Sequence, residues 1–185
     1  KIPGSIILYN AIVGRVVPEV IERDGGRGLR VRVGYTLIKK SMRENDAEFC
    51  GEHSGHYFFK KNFFADSAII AAAIVAELMS VKNKKLSELY DEYDKYKSSE
   101  EINFIVSDKE KIMNQIEEEY KASADSIDRL DGISVWFSDF WFNVRPSNTE
   151  PLLRLNVEAD NPKLLEDKIK ELVGKIELLG GKEKI

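Results

Sequence analysis

The chain has 185 residues, of which 43% are hydrophobic and 32% are charged, and its formal net charge is -4. This length allows one or two packed domains, and the composition is ordinary for a globular protein. The acidic balance provides no electrostatic footprint for nucleic acid or anionic lipid, so an anionic ligand would need a local site. The longest apolar run, from Ala68 to Ala76, is too short to span a bilayer. We therefore expect neither a nucleic-acid partner nor a membrane partner.

The cysteine content and the start of the chain bear on its setting. Cys50 is the single cysteine, which excludes an internal disulfide, and no secretory signal opens the sequence. A reducing cytoplasm is the expected location. The chain opens on Lys1 and enters an apolar strand by Ser5 to Tyr9. This opening predicts that the sequence starts inside a larger protein.

The first half of the chain alternates apolar strands with amphipathic helices. That order predicts a partial α/β/α domain whose mixed sheet is largely parallel, with right-handed crossovers. In such sheets, ligands bind outside the carboxyl ends of the strands. The predicted elements are a strand at Ile6–Leu8, a helix from Gly14 to Arg23, a strand at Leu29–Val33, a helix from Leu37 to about Asn45 and a strand at Ala47–Cys50.

The helices that follow lead to a candidate domain boundary. Asp66 or Ser67 is predicted to cap a long apolar helix that ends near Ser80 and is buried on most sides. A second, amphipathic helix is predicted from Leu86 to about Lys97. The polar run from Lys95 to Glu100 is typical of a linker. We therefore predict one domain over residues 1–97 and another over 98–185.

The second half has the predicted order β-α-β-β-β-α. Ile102, Phe104 and Val106 alternate as a strand, and Ser107 with Glu110 forms a capping-box pattern for the next helix. This order predicts a four-stranded antiparallel sheet with two helices on one face. The remaining predicted elements are a strand around Ile133–Phe137, a hairpin whose strands precede Arg145 and follow Leu152, and a helix begun by Asn161-Pro162.

The first candidate site is Gly51–His56, with the sequence Gly-Glu-His-Ser-Gly-His. Its glycines allow close backbone approach to a ligand, while Glu52, Ser54 and His56 can exchange hydrogen bonds with vicinal sugar hydroxyls. A tight turn, a metal site and a nucleophile with its base are competing interpretations. A turn does not explain both histidines, and two histidines with one carboxylate fall short of a structural zinc site. No third group is evident that would orient His56 for nucleophilic catalysis by Ser54.

The second candidate site is the polar loop Arg145–Arg154, with the sequence Arg-Pro-Ser-Asn-Thr-Glu-Pro-Leu-Leu-Arg. Two guanidiniums supply forked donors that match phosphate oxygens. Small hydroxyl and amide side chains can add hydrogen bonds to the same ligand. Turn formation alone would also explain the Pro, Ser, Asn and Thr residues. The candidate phosphate ligands are Arg145, Ser147, Asn148, Thr149 and Arg154.

Together the two motifs resemble the α-D-phosphohexomutases, the phosphoglucomutase/phosphomannomutase family. Gly51–His56 resembles the sugar-binding loop of the third family domain, and Arg145–Arg154 resembles the phosphate-binding loop of the fourth. The resemblance implies that Glu52 and Ser54 hold the sugar and that His56 is a candidate acid/base group. It also implies that the parent enzyme interconverts hexose 1-phosphate and hexose 6-phosphate through a phosphoserine and a bisphosphorylated sugar intermediate.

The sequence also departs from the family pattern. Gly34-Tyr35 stands where many relatives have Gly-His, so the roles of Tyr35 and His53 stay open. Neither the phosphoserine loop nor the aspartate-rich magnesium loop of the family occurs in this chain. We therefore expect the chain to be inactive alone and to contain no cofactor site. Magnesium, an activator like glucose 1,6-bisphosphate and the missing N-terminal domains of the same polypeptide are implied for the parent enzyme.

Two alternatives belong to other functional classes. A phosphosugar-binding module without catalysis needs only the two loops found here. A sheet carrying Trp136, Trp141 and several phenylalanines could instead stack RNA bases. The acidic charge and the lack of an RNA-binding aromatic motif make core packing the better explanation of these aromatic residues.

Overall fold

The computed structural model describes residues 3–147 and 150–184. The chain forms two compact units, Lys1–Lys95 and Tyr96–Ile185, which we call unit 1 and unit 2. Each unit has its own sheet and its own hydrophobic core.

Unit 1 contains a mixed five-stranded sheet in the order β2-β1-β3-β4-β5. β1 runs parallel to β2 and β3, as the alternating strands and helices predicted, while β4 and β5 add an antiparallel extension. The strands are β1 (Ile6–Asn10), β2 (Arg27–Val31), β3 (Phe49–Gly51), β4 (Tyr57–Phe59) and β5 (Ala65–Asp66), and the helices are α1 (Val16–Arg23), α2 (Tyr35–Glu44), α3 (Ala68–Lys82) and α4 (Leu86–Asp91), with a short 3-10 helix at Lys60–Asn62.

The core of unit 1 lies between α2 and one face of the sheet. Ile38 and Met42 of α2 are fully buried there, together with apolar side chains of the strands. Burial of side chains at such spacing is what stabilises a short helix in a protein. The buried members of this core are Leu8, Val31, Ile38, Met42, Ala47, Cys50 and Phe58.

The apolar helix α3 differs from its prediction. Ser67 caps it by accepting a hydrogen bond from the Ile70 backbone N–H at 3.2 Å. However, none of its residues is buried, and Ile69 and Val81 are 84% and 77% exposed. A sequence that is apolar on every side does not indicate which side is covered, so the prediction of burial on most sides was wrong. Within the described ranges, no helix combines the length and apolarity needed to cross a membrane.

Unit 2 contains an antiparallel sheet in the order β12-β7-β11-β10-β9-β8, with β6 paired to β11. The four predicted strands are present, and three short strands, β6, β8 and β12, widen the sheet to seven. The strands are β6 (Lys97–Ser98), β7 (Ile102–Ile105), β8 (Ser126–Asp128), β9 (Ile133–Trp136), β10 (Phe140–Pro146), β11 (Leu152–Ala159) and β12 (Lys182–Glu183), and the helices are α5 (Lys109–Tyr120) and α6 (Pro162–Leu178).

Both helices of unit 2 pack into one core, as predicted. Ile116 of α5 and Leu172 of α6 join the same cluster as alternate side chains of β10 and β11. α5 begins one residue later than its sequence pattern indicated. Asp108, and not Ser107, is its N-cap, because the Asp108 Oδ1 atom accepts from the Lys111 backbone N–H at 3.0 Å.

Candidate functional site

The loop Glu52–His56 connects β3 to β4 in unit 1. Gly51 and Tyr57 are opposite each other in the register of these antiparallel strands. The Glu52 backbone N–H donates to the His56 carbonyl at 2.9 Å, and the Gly55 N–H donates to the Glu52 carbonyl at 3.1 Å. Gly55 has a φ of +83°, a left-handed conformation that favours glycine. The loop is therefore a compact turn in which residues 53–56 are exposed.

Glu52 is the buried member of this loop, with 8% of its surface exposed. It follows β3, and Asn10 ends the neighbouring parallel strand β1, so both lie at the carboxyl edge of the sheet. The Asn10 Nδ2 atom lies 3.5 Å from Glu52 Oε1. A carboxylate held in this position can accept hydrogen bonds from ligand hydroxyl groups.

His56 has an orienting partner that the sequence did not reveal. Its Nδ1 atom lies 2.8 Å from Asp66 Oδ2. When Nδ1 carries the ring proton and donates a hydrogen bond to the Asp66 carboxylate, Nε2 is left as an acceptor facing away from that bond. Asp66 is brought near by the pairing of β4 with β5, in which Phe58 is opposite Asp66. The sequence indicated Asp66 only as a possible helix cap.

The exposed residues of the loop do not form a hydrolase triad. His53, Ser54 and His56 are all exposed. Among the residues that the structure describes, no hydrogen bond connects Ser54 with His56, although His56 has a carboxylate partner. The same part of the chain contains no group of three or more His, Cys, Asp or Glu residues placed to hold a metal ion.

A cavity of about 620 Å³ lies beside the loop within unit 1. Glu52 and His53 contribute to its lining, together with Tyr9, Val13 and Gly14. The cavity therefore combines a buried carboxylate with largely apolar walls. This combination is common in sites that bind small ligands.

The second candidate site lies on the β10–β11 hairpin of unit 2. Arg145 and Arg154 are directly opposite each other in the register of the two strands. The carboxylate of Glu101 bridges them: its Oε2 atom accepts from Arg145 Nη2 at 2.8 Å, and its Oε1 atom lies 3.3 Å from Arg154 Nη1. The Nε atoms of both arginines are buried without a hydrogen-bond partner in the described residues. We call Arg145, Arg154 and Glu101 the arginine cluster.

Ser147 and Lys109 shape the base of the hairpin loop. The Ser147 backbone N–H donates to the Leu152 carbonyl at 2.9 Å, and the Ser147 Oγ atom lies 3.4 Å from Arg154 Nη2. Lys109 Nζ donates to the Ser147 carbonyl at 2.8 Å and to the Glu150 carbonyl at 2.7 Å. The Lys109 ammonium group on α5 therefore connects the two sides of the loop by hydrogen bonds. Asn148 and Thr149, the other predicted phosphate ligands, lie outside the described residues.

Gly132 allows β10 to pass close to the preceding turn. It has a φ of +71°, and a Cβ atom built on it would lie 2.2 Å from the Val144 carbonyl oxygen and 2.5 Å from Arg145 Cα. The side chain of Asn143 donates to the Asp131 carbonyl at 2.9 Å and so fastens the same turn. These contacts fix the backbone from which Arg145 projects.

The predicted site residues thus form two sets, each within one unit. Glu52, Ser54 and His56 share the β3–β4 loop, while Arg145, Ser147 and Arg154 share the hairpin. The sequence did not identify Asp66, Glu101 or Lys109 as part of either set. Each of these three forms a hydrogen bond with a predicted site residue that is distant from it in sequence.

Two family models match the chain. The model "Phosphoglucomutase/phosphomannomutase, alpha/beta/alpha domain III" matches residues 1–96. The model "Phosphoglucomutase/phosphomannomutase, C-terminal domain" matches residues 101–175. Together they account for most of both units.

Curated relatives and solved structures agree with these matches. A phosphomannomutase of Methanocaldococcus jannaschii is 47% identical over 90% of this chain and 36% of its own length. A phosphomannomutase of Escherichia coli K12 is 38% identical over 86% of this chain and 35% of its own length. The crystal structure of a phosphoglucomutase/phosphomannomutase family protein from Burkholderia thailandensis superposes with a TM-score of 0.84 at 25% identity, covering 99% of this chain and 40% of that one. The chain therefore spans just over a third of the length of these relatives.

Proposed function

This chain belongs to the phosphoglucomutase/phosphomannomutase family, and we propose that it is the substrate-binding half of a phosphohexomutase. The parent enzyme interconverts hexose 1-phosphate and hexose 6-phosphate by way of a phosphoserine and a bisphosphorylated sugar. The observation that carries the proposal is the arginine cluster, in which two guanidiniums lie opposite each other at the base of a short polar loop.

In this proposal the hairpin of unit 2 clamps the phosphate that does not react. Arg145 and Arg154 supply charge and paired N–H donors, which suit the geometry of phosphate oxygens. Ser147 adds a hydroxyl group beside Arg154, and the family resemblance adds Asn148 and Thr149. Glu150 carries a negative charge that would repel a phosphate, and its Oε2 atom lies 3.9 Å from Arg154 Nη2. We therefore assign Glu150 to the support of the loop and not to ligand binding.

The β3–β4 loop of unit 1 holds the sugar in the same proposal. Glu52 accepts hydrogen bonds from two hydroxyl groups, and Ser54 donates or accepts one. The Nε2 atom of His56, whose Nδ1 atom is held by Asp66, is the candidate acid/base atom for the reacting hydroxyl. Since the bisphosphorylated intermediate must turn round between the two half-reactions, both loops must accept the sugar in either orientation.

Phosphoryl transfer depends on charge neutralisation by a metal and its ligands. The described residues offer no cluster that fits the magnesium ion implied by the family. We therefore assign the phosphoserine and the metal site to other parts of the polypeptide. The expected result for the isolated chain is binding without turnover. Steady-state conversion of mannose 1-phosphate by the purified chain would contradict this assignment.

The test is a calorimetric titration of the chain with glucose 1-phosphate and glucose 1,6-bisphosphate. We expect Arg145→Ala to weaken binding by about ten- to a hundredfold, which corresponds to the loss of one or two charged hydrogen bonds. Arg129→Ala is the matched control, because it removes the same charge from unit 2 at a side chain that contacts Glu117. Equal affinities for the two variants would rule out the hairpin as the phosphate site.

The same titration separates this proposal from a stand-alone phosphosugar-binding module. A module of that kind must bind its ligand with the two loops found here. If the wild-type chain does not bind at millimolar ligand, the module is excluded, and the parent enzyme needs further domains to complete the site. Measurable affinity that depends on both Arg145 and Glu52 would show that each loop contacts the ligand in this chain.

A further inference from the structure

The arrangement of Arg145 and Arg154 raises an electrostatic problem. They are directly opposite each other on β10 and β11, which brings their side chains to the same face of the sheet. Like charges in this position repel and destabilise the strand pair. The Arg145 side chain is only 9% exposed, so solvent screens its charge poorly. Without a third group, the two guanidiniums would move apart.

Glu101 provides that third group. It immediately precedes β7, which pairs with β11 so that Ile102 is opposite Leu155. Each of its carboxylate oxygens contacts one arginine, at 2.8 Å for Arg145 and 3.3 Å for Arg154. Because both oxygens belong to one rigid carboxylate, the distance and the relative orientation of the two guanidiniums are set together.

We propose that Glu101 is the positioning residue of the phosphate clamp: it fixes both arginines for the ligand and does not contact the ligand. This inference rests on the proposed function of the hairpin. A carboxylate repels a phosphate dianion, so Glu101 is unsuited to bind one directly. Its benefit is preorganisation, since two long side chains held in place before binding lose less conformational freedom when the ligand arrives.

A simple counterion role gives the opposite expectation. If Glu101 only neutralised the arginines, its removal would make the site more positive and would tighten phosphate binding. If Glu101 positions them, its removal weakens binding in spite of the added positive charge. The sign of the change therefore distinguishes the two roles.

The first measurement is the affinity of the chain for inorganic phosphate and for glucose 1-phosphate in wild type and Glu101→Gln. We expect the Glu101→Gln variant to bind about tenfold more weakly, as for the loss of one charged hydrogen bond. Glu100→Gln is the matched control, because it removes the same charge from an exposed neighbour, and we expect it to bind like wild type. Equal or tighter binding by Glu101→Gln would overturn the proposal.

A second variant guards against loss of folding. Glu101→Asp retains the charge and removes one methylene group, so its carboxylate no longer reaches both arginines. We expect its circular dichroism to match that of wild type and its affinity to fall toward that of Glu101→Gln. Full wild-type affinity in Glu101→Asp would show that charge alone is sufficient and would overturn the positioning role.

The guanidinium signals of the ligand-free chain give a readout that a purely structural role would not change. Nuclear magnetic resonance should show hindered rotation of the Arg145 guanidinium in wild type and in Glu100→Gln, and averaged signals in Glu101→Gln. Free rotation in wild type would overturn the proposal. If wild type binds no phosphate but shows hindered rotation, the preformed phosphate site fails while the role of Glu101 in holding the arginines is supported.

Discussion

At the scale of single residues, the backbone of Val144 and Arg145 leaves no room for a side chain at Gly132. We expect Gly132→Ala to destabilise the chain by about 2–4 kcal/mol, since the new Cβ atom would overlap the Val144 carbonyl and Arg145 Cα in a left-handed backbone conformation. Phosphate affinity should fall as well. Urea unfolding and a phosphate titration measure the two effects.

Gly174→Ala is the matched control for that prediction. Gly174 lies inside α6 and has no left-handed φ, and a Cβ atom added to it would meet no atom within 4 Å apart from its own helix. Alanine there should stabilise the chain by about 0.5–1 kcal/mol, the usual difference in helix propensity. If Gly132→Ala behaved like Gly174→Ala, the close approach of Gly132 to β10 would be disproved.

Cys50 should be chemically inert in the folded chain. Burial, helped by the nearby charge of Glu52, raises the pKa of the Cys50 thiol to about 12. Because the thiolate is the reactive form, we expect negligible reaction with a thiol reagent at neutral pH and complete reaction after unfolding. Absorbance during labelling with a disulfide reagent measures both states. Rapid labelling of the native chain would contradict the burial of Cys50.

At the scale of elements, Glu171 connects α6 to α5. Its Oε1 atom accepts from Tyr120 Oη at 2.7 Å, and its Oε2 atom accepts from Lys168 Nζ at 2.8 Å. Burial acts to raise the pKa of Glu171, but the hydrogen bonds from Lys168 and Tyr120 outweigh it and lower the pKa to about 2. The folded state therefore favours the ionised carboxylate.

The pH dependence of stability tests this connection. A depressed carboxyl pKa stabilises the fold above the unfolded value of 4.5, and that contribution is lost as pH falls through about 2. We expect Glu171→Gln to cost about 1 kcal/mol above pH 5, since partial exposure screens the interaction, and to cost less near pH 2. Glu166→Gln, which alters an exposed pair with Lys170 on the same helix, should leave the unfolding midpoint nearly unchanged. A cost independent of pH would exclude the ionic contribution.

Elements were predicted best where the pattern is local. The hairpin was predicted because its apolar and polar residues alternate, and α6 begins at Asn161, whose side chain accepts from the Leu164 N–H at 2.9 Å. The extent of α4 and the exposure of α3 were predicted less well. α4 ends at Asp91, well before Lys97, and the apolar sequence of α3 carries no periodicity that selects a buried side.

At the scale of the whole molecule, the two units have separate cores and separate sheets. We expect Tyr96–Ile185 expressed alone to fold, because its two helices and its sheet enclose one continuous apolar cluster. Glu101, Lys109, Arg145 and Arg154 all belong to this unit, so the isolated unit should retain phosphate binding that depends on Arg145. An amide spectrum with wide dispersion and a phosphate titration check both expectations. An amide spectrum with the narrow dispersion of an unfolded chain would show that unit 2 needs unit 1 in order to fold.

The sequence by itself determined the family, the positions of the two candidate loops and the type of sheet in each half. These features follow from residue types at short spacing, such as the run Gly51–His56 and the alternation on either side of Arg145–Arg154. Residues that are close in sequence keep their relative positions when the chain forms a strand or a turn. The chemistry of both loops could therefore be proposed before any contact was known.

Only the tertiary structure decided which residues support those loops. Asp66 reaches His56 across ten positions, and Glu101 reaches Arg145 across 44. Such contacts depend on strand pairing and register, and an isolated Asp or Glu in the sequence has no feature that specifies a distant partner. The same reason applies to α3, because exposure depends on what packs against a helix and not on its own composition.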